Sequence, residues 1–175
     1  PGRIIVGVDG SADSDAAVAA VAAREWPVGT HVLVTSYAQG IQGLEHSQAA
    51  SVSGFGAGGI WSGNLSVAGG PVDSWAARTA ARAVSKIRGC CPGVQVSSVV
   101  RLADPSYALV EEAVHWGGGT ASQGVEGADC IFVGARGVRG LERFLLGSVS
   151  AAVAMNAHCS VEIVHRRTPQ GTPKP

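Results

Sequence analysis

Apolar runs of strand length alternate along this chain with stretches of helical periodicity, and this alternation constrains its fold more than any other feature. Strands joined through helices need crossover connections, which place the strands parallel and cover both faces of the sheet. The sequence therefore predicts an α/β fold, a three-layer α/β/α sandwich with a five-stranded parallel sheet. The predicted strands are Arg3–Asp9, His31–Tyr37, Val94–Leu102, Asp129–Ala135 and Val161–His165, and the predicted helices are Ser14–Glu25, Ser74–Arg88, Ser106–Trp116 and Ser148–Ala157.

The composition fits a folded domain with a real core. The chain has 175 residues, of which 46% are hydrophobic and only 15% are charged. Thirteen basic and thirteen acidic residues cancel, which argues against a nucleic-acid partner. No apolar run reaches 18 residues, so we expect no membrane insertion and a cytoplasmic location. We expect one domain over residues 1–165, followed by a tail or linker over residues 166–175.

The segment over residues 39–72 differs from the rest because it is rich in glycine and has little periodicity. A loop of this length is uncommon in a compact domain and is usually functional or disordered. It leaves the end of the second predicted strand, and Phe55, Ile60 and Trp61 indicate that part of it docks. The prediction is a flexible loop that partly covers a ligand site at that strand end.

A glycine-rich turn follows the fourth predicted strand. Gly134-Ala-Arg-Gly137 is separated by nine residues from Gly147-Ser148, where the fourth predicted helix begins. Glycines let a backbone approach a ligand closely, and the first amides of a helix are unpaired and favour negative charge. A strand, a glycine turn and a helix start in this order predict an anion site, and the expected occupant is a phosphate chain.

The spacing G-x-x-G, nine residues, G-[S/T] resembles the nucleotide-binding signature of the universal stress protein family. The N-terminal run Arg3-Ile-Ile-Val-Gly-Val-Asp9-Gly-Ser11 resembles the first strand of that family and its acidic end. The resemblance runs from about Arg3 to Val164 and is poor through residues 39–72. It implies an adenine-nucleotide-alpha-hydrolase-like fold and ATP as the ligand. By the same resemblance, Ser36 and Tyr37 contact adenine through their backbone.

The residues themselves bring two of these motifs together. Asp9 and Gly134 each end a strand, and ligands of open α/β sheets bind at carboxyl ends where the strand order reverses. The Asp9 carboxylate is a candidate acceptor for a ribose hydroxyl or an adenine amine, or it could help to hold a metal; the alternative is a cap on the first helix. The candidate nucleotide-binding residues are Asp9, Gly10, Ser36, Tyr37, Val133, Gly134, Ala135, Arg136, Gly137, Gly140, Gly147, Ser148 and Val149.

Efficient catalysis is not indicated. The P-loop pattern GxxxxGK[ST] is absent, as are GxSxG and HExxH, so no residue is assigned as catalytic or as a metal ligand. A magnesium ion would help neutralise the phosphates of ATP, but the sequence shows no dedicated cage for it. Weak ATP hydrolysis is left open.

These observations predict an ATP-binding domain that acts as a regulatory or sensor module in stress response. Two alternatives stay open: a nucleotide-free interaction domain of the same fold within a larger transporter or sensor, and a slow ATP hydrolase. The resemblance also implies a homodimer through the last strand, residues 161–165. Glu162 stands in that strand where an apolar residue is usual, and we expect it either to face a positive group or to weaken the contact.

Overall fold

The computed structural model describes residues 2–38, 74–116, 127–138 and 146–166. Strands and helices alternate through these ranges in the predicted order. The strands are β1 (Arg3–Gly7), β2 (His31–Ala38), β3 (Gln95–Leu102), β4 (Cys130–Gly134) and β5 (Ser160–Val164). The helices are α1 (Ala12–Ala22), α2 (Ser74–Cys90), α3 (Pro105–His115) and α4 (Ser148–Asn156). The predicted fold class is confirmed.

The five strands form one parallel sheet in the order β3-β2-β1-β4-β5. The first and fourth strands are neighbours in the sheet: Val6 of β1 pairs with Val34 of β2 on one side and with Phe132 of β4 on the other. From β1 the chain first moves outward to β2 and β3 and then returns to β4 and β5. The strand order therefore reverses between β1 and β4, which is where open α/β sheets bind ligands.

Each face of the sheet packs against two helices. Ile4, Val6 and Val8 point to α1 and α2, whereas Ile5 and its neighbours point to α3 and α4, as the two-residue period of a strand requires. Phe132 is the largest fully buried side chain and lies on the α1 and α2 face. Burial on both faces explains why β1 and β4 read as continuous apolar runs rather than alternating ones.

The helix starts follow the expected capping chemistry. The Ser11 hydroxyl accepts a hydrogen bond from the Ser14 amide at the start of α1, and the Asp104 carboxylate accepts one from Ser106 before α3. Along α2 one face is buried, and it consists of Ala76, Ala80, Ala83, Val84 and Ile87. Thr79 is buried too, although four-residue spacing places it with Trp75, Arg82 and Lys86 on the outer side. It is covered because the β1–α1 loop crosses that side of the helix.

Several predictions fall outside the described residues: the loop over residues 39–72 as a cover for the site, Gly140 as a nucleotide contact, and the tail over residues 167–175. In the part of the chain that the structure describes, no helix combines the length and the apolar character needed to cross a membrane.

Candidate functional site

The site is built where the β1–α1 loop meets the β4–α4 loop at the carboxyl edge of the sheet. Asp9 follows β1, and its Oδ1 accepts a hydrogen bond from the Ser11 amide at 3.0 Å. Its Oδ2 accepts one from the Val138 amide at 3.1 Å, across a separation of 129 positions in the chain. One carboxylate thus fixes its own turn and holds the loop that follows β4. Asp9 is not the cap of α1, because Ser11 has that role.

Ser11 adds a second tie between the same two loops. Its hydroxyl donates to the carbonyl of Arg136 at 3.0 Å while it accepts from the Ser14 amide at 3.1 Å. A hydroxyl has one proton to donate and lone pairs to accept, so this side chain satisfies both requirements at once. The start of α1 is therefore fastened to the backbone of the glycine turn.

A buried ion pair lies behind these ties. Asp13 is only 3% exposed; its Oδ2 accepts from Arg136 Nε at 2.9 Å, and its Oδ1 accepts from the Arg166 amide at 3.2 Å. Burial by itself raises the pKa of Asp13, but the hydrogen bonds from Arg136 and Arg166 and the charge of Arg136 outweigh it and hold that pKa below the ordinary value of 3.8. The guanidinium of Arg136 is thus already paired with the Asp13 carboxylate.

A cleft of about 290 Å³ opens beside this ion pair. It lies on the α1 side of the loops, and Gly137 and Val138 form one of its walls. Ser11, Asp13 and Arg166 line the rest of the cleft together with Arg136 and Ala12. The glycine turn therefore packs against the β1–α1 loop and also lines an open cleft.

The two glycines of the turn serve different ends. A Cβ at position 134 would lie 2.5 Å from the Ser14 amide nitrogen and 2.6 Å from the Asp13 carbonyl carbon, so Gly134 is needed for β4 to pass under the start of α1. A Cβ at position 137 would lie 2.7 Å from Asp9 Oδ2. Gly137 is therefore the residue that lets the turn approach the Asp9 carboxylate.

The start of α4 supplies hydrogen-bond donors. The Gly147 amide donates to the Ala135 carbonyl at 2.8 Å, and the buried Ser150 hydroxyl donates to the same carbonyl at 3.0 Å. The first amide to bond within the helix is that of Ala151, which donates to the Gly147 carbonyl. The amides of Ser148 and Val149 therefore have no partner within α4, as is general for a first helical turn.

The end of β2 borders the same crevice. The Thr35 carbonyl accepts from the Val8 amide on the β1 side, and the Ala38 carbonyl accepts from the Ala103 amide on the β3 side. Alternate residues of a strand direct their backbone groups to the same neighbour, so the backbone of Tyr37 faces the β1 side. The last residue of β1, Gly7, lies opposite Thr35. The backbone groups of Tyr37, two residues further along β2, therefore face the crevice beyond the end of β1. The hydroxyl of Ser36 is fully buried and has no hydrogen-bond partner among the described residues.

The structure brings most of the predicted site residues to one edge, though in different roles. Val133 and Ala135 are buried, and both backbone groups of Ala135 are bonded, its amide to the Val164 carbonyl at 2.8 Å. Gly10 has a φ of 72° and contacts the ring of Trp75. Sequence reasoning missed Ser11 as a clamp, the Asp13–Arg136 pair and the Val138 amide. The sequence shows the acidic and serine residues around the start of the first helix, but it does not show that they contact Arg136.

Metal binding finds no support in the side chains that the structure describes. Within the described ranges, no group of three or more His, Cys, Asp or Glu residues is arranged to hold an ion. The four cysteines are free thiols.

Solved structures of the same architecture exist. The protein MJ0577 superposes with a TM-score of 0.59 at 17% identity, over 95% of this chain and 97% of that one. A universal stress protein crystallised in complex with cAMP gives a TM-score of 0.54 at 20% identity, over 94% and 96% of the two chains. The universal stress protein of Archaeoglobus fulgidus gives 0.51 at 20% identity, over 94% and 93%. At these identities the likeness shows the fold.

Sequence comparison gives matches to one family over part of the chain. Residues 121–165 match the model of the universal stress protein family. A universal stress protein of Methanocaldococcus jannaschii is 54% identical over 39 residues, which are 22% of this chain and 23% of that protein. The resemblance to the universal stress protein family is confirmed.

The family match covers the part of the molecule that carries the glycine motif. Its 121–165 range includes β4, the turn with Gly134 and Gly137, the start of α4 and β5. The match to the M. jannaschii universal stress protein spans about a quarter of that relative's length. The shared sequence is thus concentrated on one half of the candidate site, and Asp9 belongs to the other half.

Proposed function

We propose that this chain binds an adenine nucleotide, ATP in particular, in the crevice between β1 and β4, and that it acts as a regulatory or sensor module in stress response. The observation that carries the proposal is the Asp9 carboxylate, held 3.1 Å from the Val138 amide beside the glycine turn, at the point where the strand order reverses. The likeness to a universal stress protein crystallised with cAMP supports an adenine nucleotide as the ligand class.

The nucleoside end of the ligand is assigned to Asp9 and β2. A carboxylate offers about four lone-pair positions, and the Ser11 and Val138 amides use two of them. The remaining positions accept from ribose hydroxyls or from the adenine amine. The backbone groups of Tyr37 face the same crevice and match the donor and acceptor pattern of an adenine edge.

The phosphates are assigned to the start of α4. The amides of Ser148 and Val149, which have no partner within α4, and the Ser148 hydroxyl donate hydrogen bonds to the phosphates, and the positive end of the helix dipole adds to the attraction. Arg136 is paired with Asp13, so we assign it to the scaffold of the site unless ATP displaces that pair. Magnesium would accompany ATP through the phosphates rather than through a protein cage.

Turnover is not part of the proposal, and no catalytic role is assigned to the described residues near the start of α4. A slow ATP hydrolase is the enzymatic alternative, and steady-state phosphate release measures it. The proposed place of action is the cytoplasm, where ATP is abundant.

The experiment that tests the proposal is mass spectrometry of small molecules released from purified, denatured protein. We expect an adenine nucleotide in amounts that approach the protein concentration. If repeated preparations release none, and calorimetry detects no binding at millimolar ATP, the nucleotide-free interaction domain is the better assignment.

We also propose a homodimer through β5. Among the described strands β5 pairs only with β4, so its other edge is open to a second copy. Glu162 already has a positive partner within the chain, since its carboxylate oxygens lie 2.7 and 2.6 Å from Arg24 Nη2. The Glu162 charge is therefore compensated and does not oppose the contact. Sedimentation that shows only monomer at micromolar concentration, with and without ATP, would refute the dimer.

A further inference from the structure

The side chain of Trp75 touches the β1–α1 loop from outside the sheet. Trp75 lies in the first turn of α2, and a Cβ at position 10 would lie 2.5 Å from its Cζ2 and 3.2 Å from its Cη2. The same Cβ would lie 3.4 Å from the Thr79 Oγ1. The six-membered ring of the indole thus occupies the space that any side chain at position 10 would need.

Gly10 is a sensitive point for the proposed nucleotide site. Its φ of 72° is a conformation that L side chains rarely adopt, so the backbone turns sharply here. Its two neighbours in the chain are Asp9 and Ser11, whose side chains tie this loop to Val138 and Arg136. A change in the Gly10 backbone would rotate the Asp9 carboxylate away from the Val138 amide.

We infer that Trp75 is a positioning residue for the nucleotide site, because its ring holds Gly10 and thereby sets the direction of the Asp9 carboxylate. This inference rests on the proposed function for its effect on nucleotide affinity, whereas the effect on the Asp9 hydrogen bonds stands independently. Helix α2 packs mainly on α1, β2 and β3. Through Trp75, its first turn is nevertheless coupled to a site at β1 and β4.

The burial of Trp75 separates a positioning role from a purely structural one. The side chain is 39% exposed, whereas the core of α2 is formed by Ala76, Ala80 and Ile87, each at most 1% exposed. Removal of the indole therefore leaves the buried stripe of α2 intact. The contact with the β1–α1 loop is among the contacts that this removal deletes.

The test compares Trp75→Ala and Trp75→Phe with Trp116→Ala. Trp116 is a matched control, because it is also a half-buried tryptophan but packs against His31 at the opposite edge of the sheet, with ring centroids 5.1 Å apart. Calorimetry should show ATP binding about tenfold weaker in Trp75→Ala, a size typical of coupling between residues in contact. Trp75→Phe should restore part of the affinity, and Trp116→Ala should bind as the wild type does.

Amide chemical shifts give a readout that needs no ligand. In the nucleotide-free protein, Trp75→Ala should move the amide signals of Ser11 and Val138, which donate to Asp9, and Trp116→Ala should leave them in place. Unchanged Ser11 and Val138 signals in Trp75→Ala would overturn the inference, whatever the wild type binds. Wild-type ATP affinity in a folded Trp75→Ala variant would overturn it as well. Absence of binding in the wild type, with the signals shifted, would contradict the proposed function and support the positioning role.

Discussion

Two aspartates connect β1 to the chain around β4 at opposite ends of the sheet. At the amino end, Asp129 precedes β4 and its Oδ2 accepts from the Arg3 amide at 2.6 Å. At the carboxyl end, Asp9 follows β1 and its Oδ2 accepts from the Val138 amide at 3.1 Å. Both are charge-assisted bonds from a backbone amide to a carboxylate.

The surroundings of the two aspartates differ. The backbone of Asp129 is fully paired, since its amide donates to the Arg3 carbonyl and its carbonyl accepts from the Ser160 amide. Asp9 is followed by Gly10 and approached by Gly137, and it shares its edge of the sheet with the first amides of α4, which have no partner within that helix. At the amino end, Asp129 joins β1, β4 and β5 through its side chain and its backbone. At the carboxyl end, the same type of bond from Asp9 lies beside an open crevice. We therefore expect some variants to lower the free energy of unfolding without changing ATP affinity, and others to do the opposite. Such variants test the difference between the two ends of the sheet.

The largest effect on stability is expected at the glycine beneath α1. Gly134→Ala should destabilise the fold by about 3 kcal/mol, because its Cβ would meet backbone atoms of Asp13 and Ser14 that cannot move alone. Urea denaturation measures the loss. Gly89→Ala in the last turn of α2 is the control, since its Cβ would meet no atom within 4 Å; it should be neutral or stabilising by up to about 1 kcal/mol. Similar losses in both variants would contradict the packing argument.

The next effect concerns the ion pair behind the site. Asp13→Asn should cost about 2–3 kcal/mol, because it leaves the half-buried Arg136 without its carboxylate. Asp15→Asn, which breaks an exposed pair with Arg82, should cost less than about 1 kcal/mol. Denaturation of both variants under identical conditions provides the comparison, and an equal cost would contradict the buried role of Asp13.

The same pair predicts a dependence on pH. The pKa of Asp13 is lower in the folded chain than its ordinary value of 3.8, so folding favours the charged carboxylate. Its contribution is present above pH 3.8 and is lost as the pH falls through the lower, folded pKa. The gap in stability between wild type and Asp13→Asn should therefore narrow on acidification below pH 4, as measured by denaturation at a series of pH values. A gap that stays constant would exclude Asp13 as its source.

The two aspartates themselves give the sharpest contrast. Asp9→Ala should weaken ATP binding by more than about tenfold, since hydrogen bonds to charged groups contribute roughly 1.5–3 kcal/mol. Asp129→Ala should lower the free energy of unfolding by about 1 kcal/mol and leave ATP affinity unchanged. Calorimetry and denaturation of both variants give the four values. If Asp129→Ala weakens ATP binding as much as Asp9→Ala does, the two ends of the sheet are not functionally distinct.

A smaller effect is expected at the phosphate end. Ser148→Ala removes one hydroxyl and keeps the helix amides, so ATP affinity should fall about threefold to tenfold, the equivalent of roughly 0.5–1.5 kcal/mol. Ser160→Ala at the start of β5 is a control with the same chemical change on a surface away from the site. A loss in Ser148→Ala no larger than in the control would remove the hydroxyl from the binding model.

The fold was predictable because its signals are local. Apolar runs and helical periodicity placed each strand and helix within a few residues, and Ser11 and Asp104-Pro105 mark helix starts by known capping chemistry. These features depend on neighbours in the chain, which a sequence displays directly.

The site was predictable only in its location. The acidic residue after β1 and the glycine spacing after β4 predicted that the site lies at the carboxyl edge of the sheet. They did not predict the role of each residue there. Gly134 is required by the backbone of α1, and Arg136 is held by Asp13, because the two loops meet across more than a hundred positions. Such contacts depend on the three-dimensional approach of loops, and no local pattern encodes them.

The central claim is that ATP binds between β1 and β4 against the glycine turn, and Gly137→Val tests it most directly. Residue 137 is exposed, so the variant should fold, but its Cβ would lie 2.7 Å from Asp9 Oδ2 and displace that carboxylate from the Val138 amide. Titration calorimetry with ATP and magnesium should show binding to the wild type and none to the folded variant. Equal ATP affinity in the two proteins, or no binding to the wild type at millimolar ATP, would contradict the account.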